Sequence, residues 1–163
     1  MQKKKSQYEN AENYMEAMSS KIGRILEEQK FILMNDDKYE LTTKGITCSM
    51  IQEVFGLPWA DFYEETHELD GYDAKDLVVL FSCFTNINVN DEFKTFRTDK
   101  KGTNELWKIY EKYYDLETRE QITTGSDYNF HFDLIKEMSD WCDCEDEAGS
   151  KKILGGLFHK GIF

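Results

Sequence analysis

Cys142 and Cys144 stand one residue apart, Cys48 and Cys83 lie far upstream, and three histidines, His67, His131 and His159, are scattered along the chain. Thiols and imidazoles bind zinc or form nucleophile pairs when their spacing or fold brings them together. The C-x-C spacing differs from the paired C-x-x-C units of zinc knuckles, and no histidine stands in an H-E-x-x-H or H-x-E arrangement. Four structural thiols are therefore expected, with Cys83, in the middle of an apolar segment, buried and inert. A Cys-His pair meeting only in space is left open by the sequence. There is no G-x-x-x-x-G-K-[ST] phosphate loop and no acidic Walker B step, so the chain is not expected to hydrolyse ATP by itself. The 32 carboxylates offer many pairs, but solvated outer faces of helices account for them without a glycosidase cleft. The expectation is no catalytic residue, no metal ligand and no cofactor of the chain's own.

The elements that must position any site come from a 163-residue chain that is 40% hydrophobic and 14% aromatic. That is enough for one domain with an aromatic-rich core. A formal charge of −12 repels a phosphate backbone at long range and disfavours an independent nucleic-acid binder. Basic exceptions are local: Lys3 to Lys5, read as a solvated tail, and Lys151, Lys152, His159 and Lys160 at the other end. No apolar run approaches the ~20 residues a membrane span needs. With no secretory segment after Met1, a reducing intracellular compartment, cytoplasm or nucleus, is expected. Lysine far outnumbers arginine and Pro58 is the only proline, a bias that fits an AT-rich coding genome such as a large DNA virus or a protist carries.

Tyr14, Met18, Ile22, Ile25 and Leu26 fall on one face of a long helix between Tyr8 and Lys30. "FILMNDDKYEL" has two short apolar segments around Asn35-Asp36-Asp37 and predicts a small wing-like hairpin. Thr42 and Thr43 cap a following helix with Ile46, Met50, Ile51 and Val54 as its apolar members, ending near Gly56. Gly45 in its first turn points to close packing or to the geometry of the hairpin exit. Pro58 is expected at the first position of a short helix that buries Trp59, Phe62 and Tyr63. Asp73 is read as the N-cap of "AKDLVVLFSCFTNI", a helix in the middle of the domain. Asp91 to Gly102 reads as a loop, and Thr103 as the cap of a helix whose face carries Leu106, Ile109, Tyr110, Tyr113 and Leu116. From Asp127, the spacing of Phe130, Leu134, Met138 and Trp141 predicts a second long helix antiparallel to it. Ser150 is read as the cap of a last helix, Lys151 to Phe158. The fold class is mainly α, a helical bundle with one small β-hairpin in the N-terminal third.

Three segments together resemble the DSHCT domain, the helical C-terminal module of superkiller-type and exosome-associated DExH RNA helicases. In "ILEEQKFILMNDDKYELTTKGITCSMI", Leu26, Phe31, Ile32, Leu41, Thr42, Lys44, Gly45 and Cys48 match the family's helix, hairpin and L-T-x-K-G step. In "DAKDLVVLFSCFTN", Leu80, Ser82, Cys83 and Phe84 match its P-E-Q-x-A-A-L-L-S-C-F. "FHFDLIKEMSDWCDC" resembles its long helix ending in a W-C pair, here Trp141 and Cys142. Order and rough spacing agree from Ile25 to Cys142, most of the chain. Two departures stand out: Ile46 follows the K-G pair where the family commonly has arginine, and Val54 to Asp73 departs from the family's acidic, asparagine-containing segment facing the RNA channel. Asp61 and Glu64 fall loosely within that segment. The family's final helix, with its RNA-facing arginine, would lie beyond Phe163.

The resemblance implies that residues 1–163 are a single helical domain, truncated from the C-terminal part of a larger helicase. Such a module packs on the ATPase lobes, lines the RNA exit path and couples lobe movement to translocation. ATP and magnesium would belong to the parent's lobes. Expected partners are those lobes and, weakly, single-stranded RNA, with the chain itself a monomer. The candidate RNA-facing residues are Lys44, Asp61, Glu64, Lys151, Lys152 and Lys160, the lysines through phosphate contact. A viral parent would place the module in a viral factory or virion. The competing reading is a free-standing acidic protein-interaction or regulatory domain with a winged-helix-like element. Its helix after Gly45 lacks the positive charge that DNA recognition requires. An enzyme with an unfamiliar site is the third.

Overall fold

A computed structural model describes residues 2–36, 38–52, 55–85, 87, 89–125 and 128–159. Asp37 of the expected hairpin turn, Val54 of the expected second helix, Asp127 and the candidate Lys160 lie outside the described residues. The described architecture is mainly helical with one hairpin. Its elements run α1 (Gln2–Glu28), β1 (Ile32–Asn35), β2 (Lys38–Leu41), α2 (Thr43–Met50), α3 (Gly56–Glu65), α4 (Ala74–Ser82), α5 (Thr103–Glu120), α6 (Ile135–Cys142) and α7 (Glu147–His159).

The C-terminal part of α1 buries Ile25 and half-buries Ile22 and Leu26, whereas Tyr14 and Met15 stay exposed. Lys21 and Arg24 tie this part to the end of α5, Arg24 Nη2 donating to Glu120 Oε2 at 3.0 Å and Lys21 Nζ to the Glu120 carbonyl. β1 and β2 pair antiparallel, Ile32 opposite Leu41 and Met34 opposite Tyr39. With strand side chains alternating between faces, those four share one side of the ribbon. Tyr39 reaches α1 at Gly23, where an added Cβ would sit 2.8 Å from the phenol oxygen.

The hairpin runs directly into α2 through Thr42. Its amide donates to the Phe31 carbonyl at 3.0 Å, its hydroxyl to the Lys30 carbonyl at 2.7 Å, and its Oγ1 accepts from the Gly45 amide at 3.0 Å. That is an N-cap that also stitches the helix to the chain entering β1. A side chain at Gly45 would collide with the Phe31 carbonyl, so close backbone approach explains the glycine. α2 is shorter than the apolar spacing suggests. It stops at Met50, and Ile46 and Met50 are 45% and 76% exposed.

α3 begins at Gly56, so Pro58 is its third residue rather than its first, still within the turn whose amides lack helical acceptors. Trp59 and Phe62 are buried as expected and Tyr63 is half-buried. α4 carries a full capping box: Asp73 accepts from the Asp76 amide at 2.8 Å and Asp76 accepts from the Asp73 amide at 3.3 Å. It ends at Ser82, earlier than the apolar run. Gly102, at φ +75°, is the N-cap of α5, and Thr103 is its first helical residue, with its hydroxyl donating to the Lys100 carbonyl at 2.7 Å. Only glycine fits before Thr103, because a Cβ would lie 2.5 Å from the Tyr72 hydroxyl in a left-handed backbone.

The expected second long helix is not there. Tyr128 to Phe132 run without helix, and only Ile135–Cys142 is helical. Instead of pairing with α5, α6 packs on α4. The His131 amide donates to the Cys83 carbonyl at 3.0 Å and Asp133 accepts from the Thr95 amide at 2.6 Å. These bonds hold the strand-like stretch so that Phe130 and Phe132 both reach the core. α7 starts at Glu147 with Asp146 accepting from the Gly149 amide at 2.7 Å, leaving Ser150 inside the helix.

α3, α4 and α5 enclose the core, which is rich in rings. Trp59 stacks on Phe81 at 4.9 Å, Phe84 meets Phe130 edge-on at 5.3 Å, and Tyr110 lies 5.2 Å from Phe130. Phe62, Leu80, Cys83 and Leu106 are fully buried. Each large apolar side chain contributes about 1.5–3 kcal/mol, against the entropy of ordering the chain. Among the described residues no helix is long and apolar enough to cross a membrane.

Candidate functional site

Asp61 sits between buried Ala60 and Phe62 on α3 and is itself only 4% exposed. A carboxylate there must be paired, because burial of an isolated charge is prohibitive. Lys44, in the first turn of α2 and 8% exposed, supplies the first partner: its ammonium forms an ion pair with Asp61 Oδ1. The same ammonium donates to the Gln29 carbonyl at 2.8 Å and lies 4.3 Å from the Phe31 ring centroid. Asp61 Oδ2 accepts from the Tyr113 hydroxyl at 2.6 Å and from Lys112 Nζ at 2.8 Å. Glu64 Oε2, one helical turn on, stands 3.8 Å from the Lys44 ammonium.

The centre is electrically closed, two lysines facing two carboxylates. Burial by itself raises the Asp61 pKa. Hydrogen bonds from Lys112, Lys44 and Tyr113 outweigh it, so the carboxyl titrates below its usual range. Burial and the bond to Asp61 push the Tyr113 phenol upward, away from any role as a base. Cys48 is raised as well, first by burial, with Lys44 opposing.

Of the candidate residues, Lys44, Asp61 and Glu64 are thus brought together, and Lys151 and Lys152 are not among them. Lys151 and Lys152 lie exposed on α7, which packs on α6, and Lys151 pairs with Glu147 at 2.5 Å. Lys44 is not a free phosphate contact: its charge faces Asp61, and its ammonium also donates to the Gln29 carbonyl. Lys112, Tyr113 and Gln29 are the residues the sequence reading missed. Tyr113 was legible only as a member of the apolar stripe of α5. The signal that could have found the centre is the lone acid in "PWADFY", which demands a buried cation and a donor.

Beside the centre a concavity of ≈ 310 Å³ is lined by Thr43, Lys44, Thr47, Tyr63, Glu64, His67 and Glu68. Its lining carries two carboxylates, Glu64 and Glu68, against Lys44 and His67, and no cysteine or serine. The four cysteines are unpaired, and burial pushes the Cys83 thiol up to about 12, as suits an inert core residue. Among the described residues no three His, Cys, Asp or Glu side chains gather as a metal-holding group. The bonds of Lys44 and Asp61 join α2, α3, α5 and the residue just after α1.

No protein-family model matches the chain, and no curated protein does.

Proposed function

We propose that the chain is the helical accessory module of an ATP-dependent RNA helicase, seated against the ATPase lobes along the RNA exit path and coupling their movement to translocation. The observation that carries this reading is the mechanical job done by the L-T-x-K-G step. Thr42 caps α2 and ties it to Lys30 and Phe31. Lys44 is locked to Asp61, and Gly45 permits the close pass over the Phe31 carbonyl. A motif whose residues fasten hairpin, helix and bundle into one body suits a part that transmits motion between neighbours. The second segment carrying the resemblance is structural too, since Leu80, Ser82 and Cys83 are buried around the core, whereas Trp141 of the third is 44% exposed.

On this reading the parent's lobes hold ATP and magnesium and supply most of the positive charge on the RNA. With Lys44 neutralised and Lys151 engaged by Glu147, this chain contributes little phosphate affinity. Free thiols fit a reducing cytoplasm, nucleus or viral factory. The test is fluorescence anisotropy of a single-stranded RNA and ATPase rate, with the chain alone, the lobes alone and both together. The expected result is weak RNA binding alone and stimulation only in the mixture. A folded, monomeric chain that leaves the lobes unaffected refutes the proposal, as does submicromolar RNA binding by the isolated chain at physiological salt.

A second reading, a free-standing acidic interaction or regulatory domain, is favoured by the apolar side chains exposed on the hairpin and α2. Leu33, Met34, Tyr39, Leu41, Ile46 and Met50 are each 45% exposed or more. Exposed apolar side chains on two consecutive elements suit a protein partner. Failure of the mixture experiment would transfer the assignment to it.

A further inference from the structure

On the flank of α5 a hollow of ≈ 500 Å³ is lined by Trp107, Tyr110, Glu111, Tyr114 and Asp115, with Tyr128 closing it from the following loop. The five α5 residues recur at i, i+3, i+4, i+7 and i+8, so one helical face presents them all. Tyr128 stands nearly perpendicular to two of its neighbours, 5.4 Å and 75° from Tyr114 and 6.3 Å and 85° from Tyr110. Rings meeting at right angles form walls rather than a flat sheet. Tyr114 is 55% exposed and Glu111 and Asp115 are exposed. Among the described residues no basic side chain lines the hollow and neither carboxylate is ion-paired. Lys112, on the same helix, is turned to Asp61 instead.

Aromatic faces attract cations through their quadrupoles, and adjacent carboxylates add net charge complementarity. We propose that this hollow receives a weakly hydrated organic cation carried by a basic peptide, either the guanidinium of arginine or a methylated lysine head. An unmodified ammonium is more strongly hydrated and fits less well. Single-stranded nucleic acid could stack its bases on the same rings, but its phosphates would then approach Glu111 and Asp115 in a chain of net charge −12. Charge therefore selects the peptide. The inference goes beyond the helicase reading and does not rest on it.

The test is isothermal titration of the full chain with four peptides identical except at the central position, which is arginine, trimethyllysine, lysine or norleucine. Arginine or trimethyllysine should bind, lysine more weakly and norleucine not at all, and the stronger of the first two identifies the source of the cation. Tyr114→Ala should weaken binding by about 3- to 30-fold, the range expected for one cation–π wall. A double Glu111→Gln, Asp115→Asn variant should weaken it further and flatten its salt dependence. All three positions are on the outer side of α5, and circular dichroism checks that the variants fold. Equal binding of norleucine and arginine overturns the proposal, as does indifference to both variants. So does tighter binding of a single-stranded oligonucleotide that is lost in Tyr114→Ala, since the hollow would then be a base platform.

Discussion

Removing Asp61 should be far more damaging than removing its lysine, although both belong to one ion pair. In Asp61→Ala the Lys44 ammonium stays buried with the Gln29 carbonyl at 2.8 Å, the exposed Glu64 at 3.8 Å and the Phe31 ring, but without its close carboxylate. Lys112, whose side chain is 46% exposed, can swing into water, but the Tyr113 hydroxyl loses its acceptor inside the core. A buried charge without its partner costs about 3–5 kcal/mol. In Lys44→Met the carboxylate keeps both the Tyr113 and Lys112 donors, so about 1–2 kcal/mol is expected. The double variant should cost less than the sum of the two, because neither unpaired charge is then left behind. Urea unfolding at pH 7, followed by circular dichroism, reads these differences as midpoint shifts at unchanged slope. For a chain of this size Asp61→Ala should lower the melting temperature by roughly 6–20 °C. The pH sign follows from the lowered Asp61 pKa. Its contribution is complete above the unfolded-state value of about 3.9 and is lost as pH falls through the folded value. Wild type should therefore lose stability on acidification below about pH 4 by more than Asp61→Ala does. An Asp61→Ala cost no larger than that of Lys44→Met would refute the closed centre.

Gly45→Ala should destabilise by about 1–3 kcal/mol or more, because its methyl overlaps the Phe31 carbonyl; an unchanged urea midpoint would contradict the close approach. In the native protein a thiol reagent at pH 8 should modify the part-exposed Cys142 and Cys144 and spare Cys83, whose thiol is buried and titrates near 12. Peptide mapping after labelling distinguishes the sites, and Cys83 labelled as fast as Cys144 would show that the core opens readily.

Elements whose signal is local are legible in the sequence. α1 and α5 announce themselves by periodicity, the hairpin by its turn residues, and α4 by the Asp73 and Asp76 pair that closes its first turn. The stretch before α6 is not legible, because Phe130, Leu134, Met138 and Trp141 keep helical spacing. What straightens it is non-local: the Cys83 carbonyl taking the His131 amide and Asp133 taking the Thr95 amide. Of the candidate site, residue types were visible but burial was not. A lysine after Thr42-Thr43 looks solvated until α3 supplies Asp61 and α5 supplies Tyr113 from 52 residues further on. The groove on α5 escaped because Tyr110 reads as core and Glu111 and Asp115 as ordinary surface, and only Tyr128 folding back makes them one enclosure.

The fastening of α1 has a mechanical consequence. Its ties to Tyr39 of β2 and to the end of α5 lie at Lys21, Gly23 and Arg24, beside the buried Ile25, while the helix runs back to Gln2. The stretch from Lys21 to Gln2 spans about 28 Å at helical rise. From Glu12 to Ser20 its side chains are exposed except the half-buried Met18, so this part of the helix is a lever on that clamp. A tilt of about 10° at the clamp sweeps its tip through roughly 5 Å, turning an adjustment of about 1 Å across the clamp into a displacement as large as one helical turn.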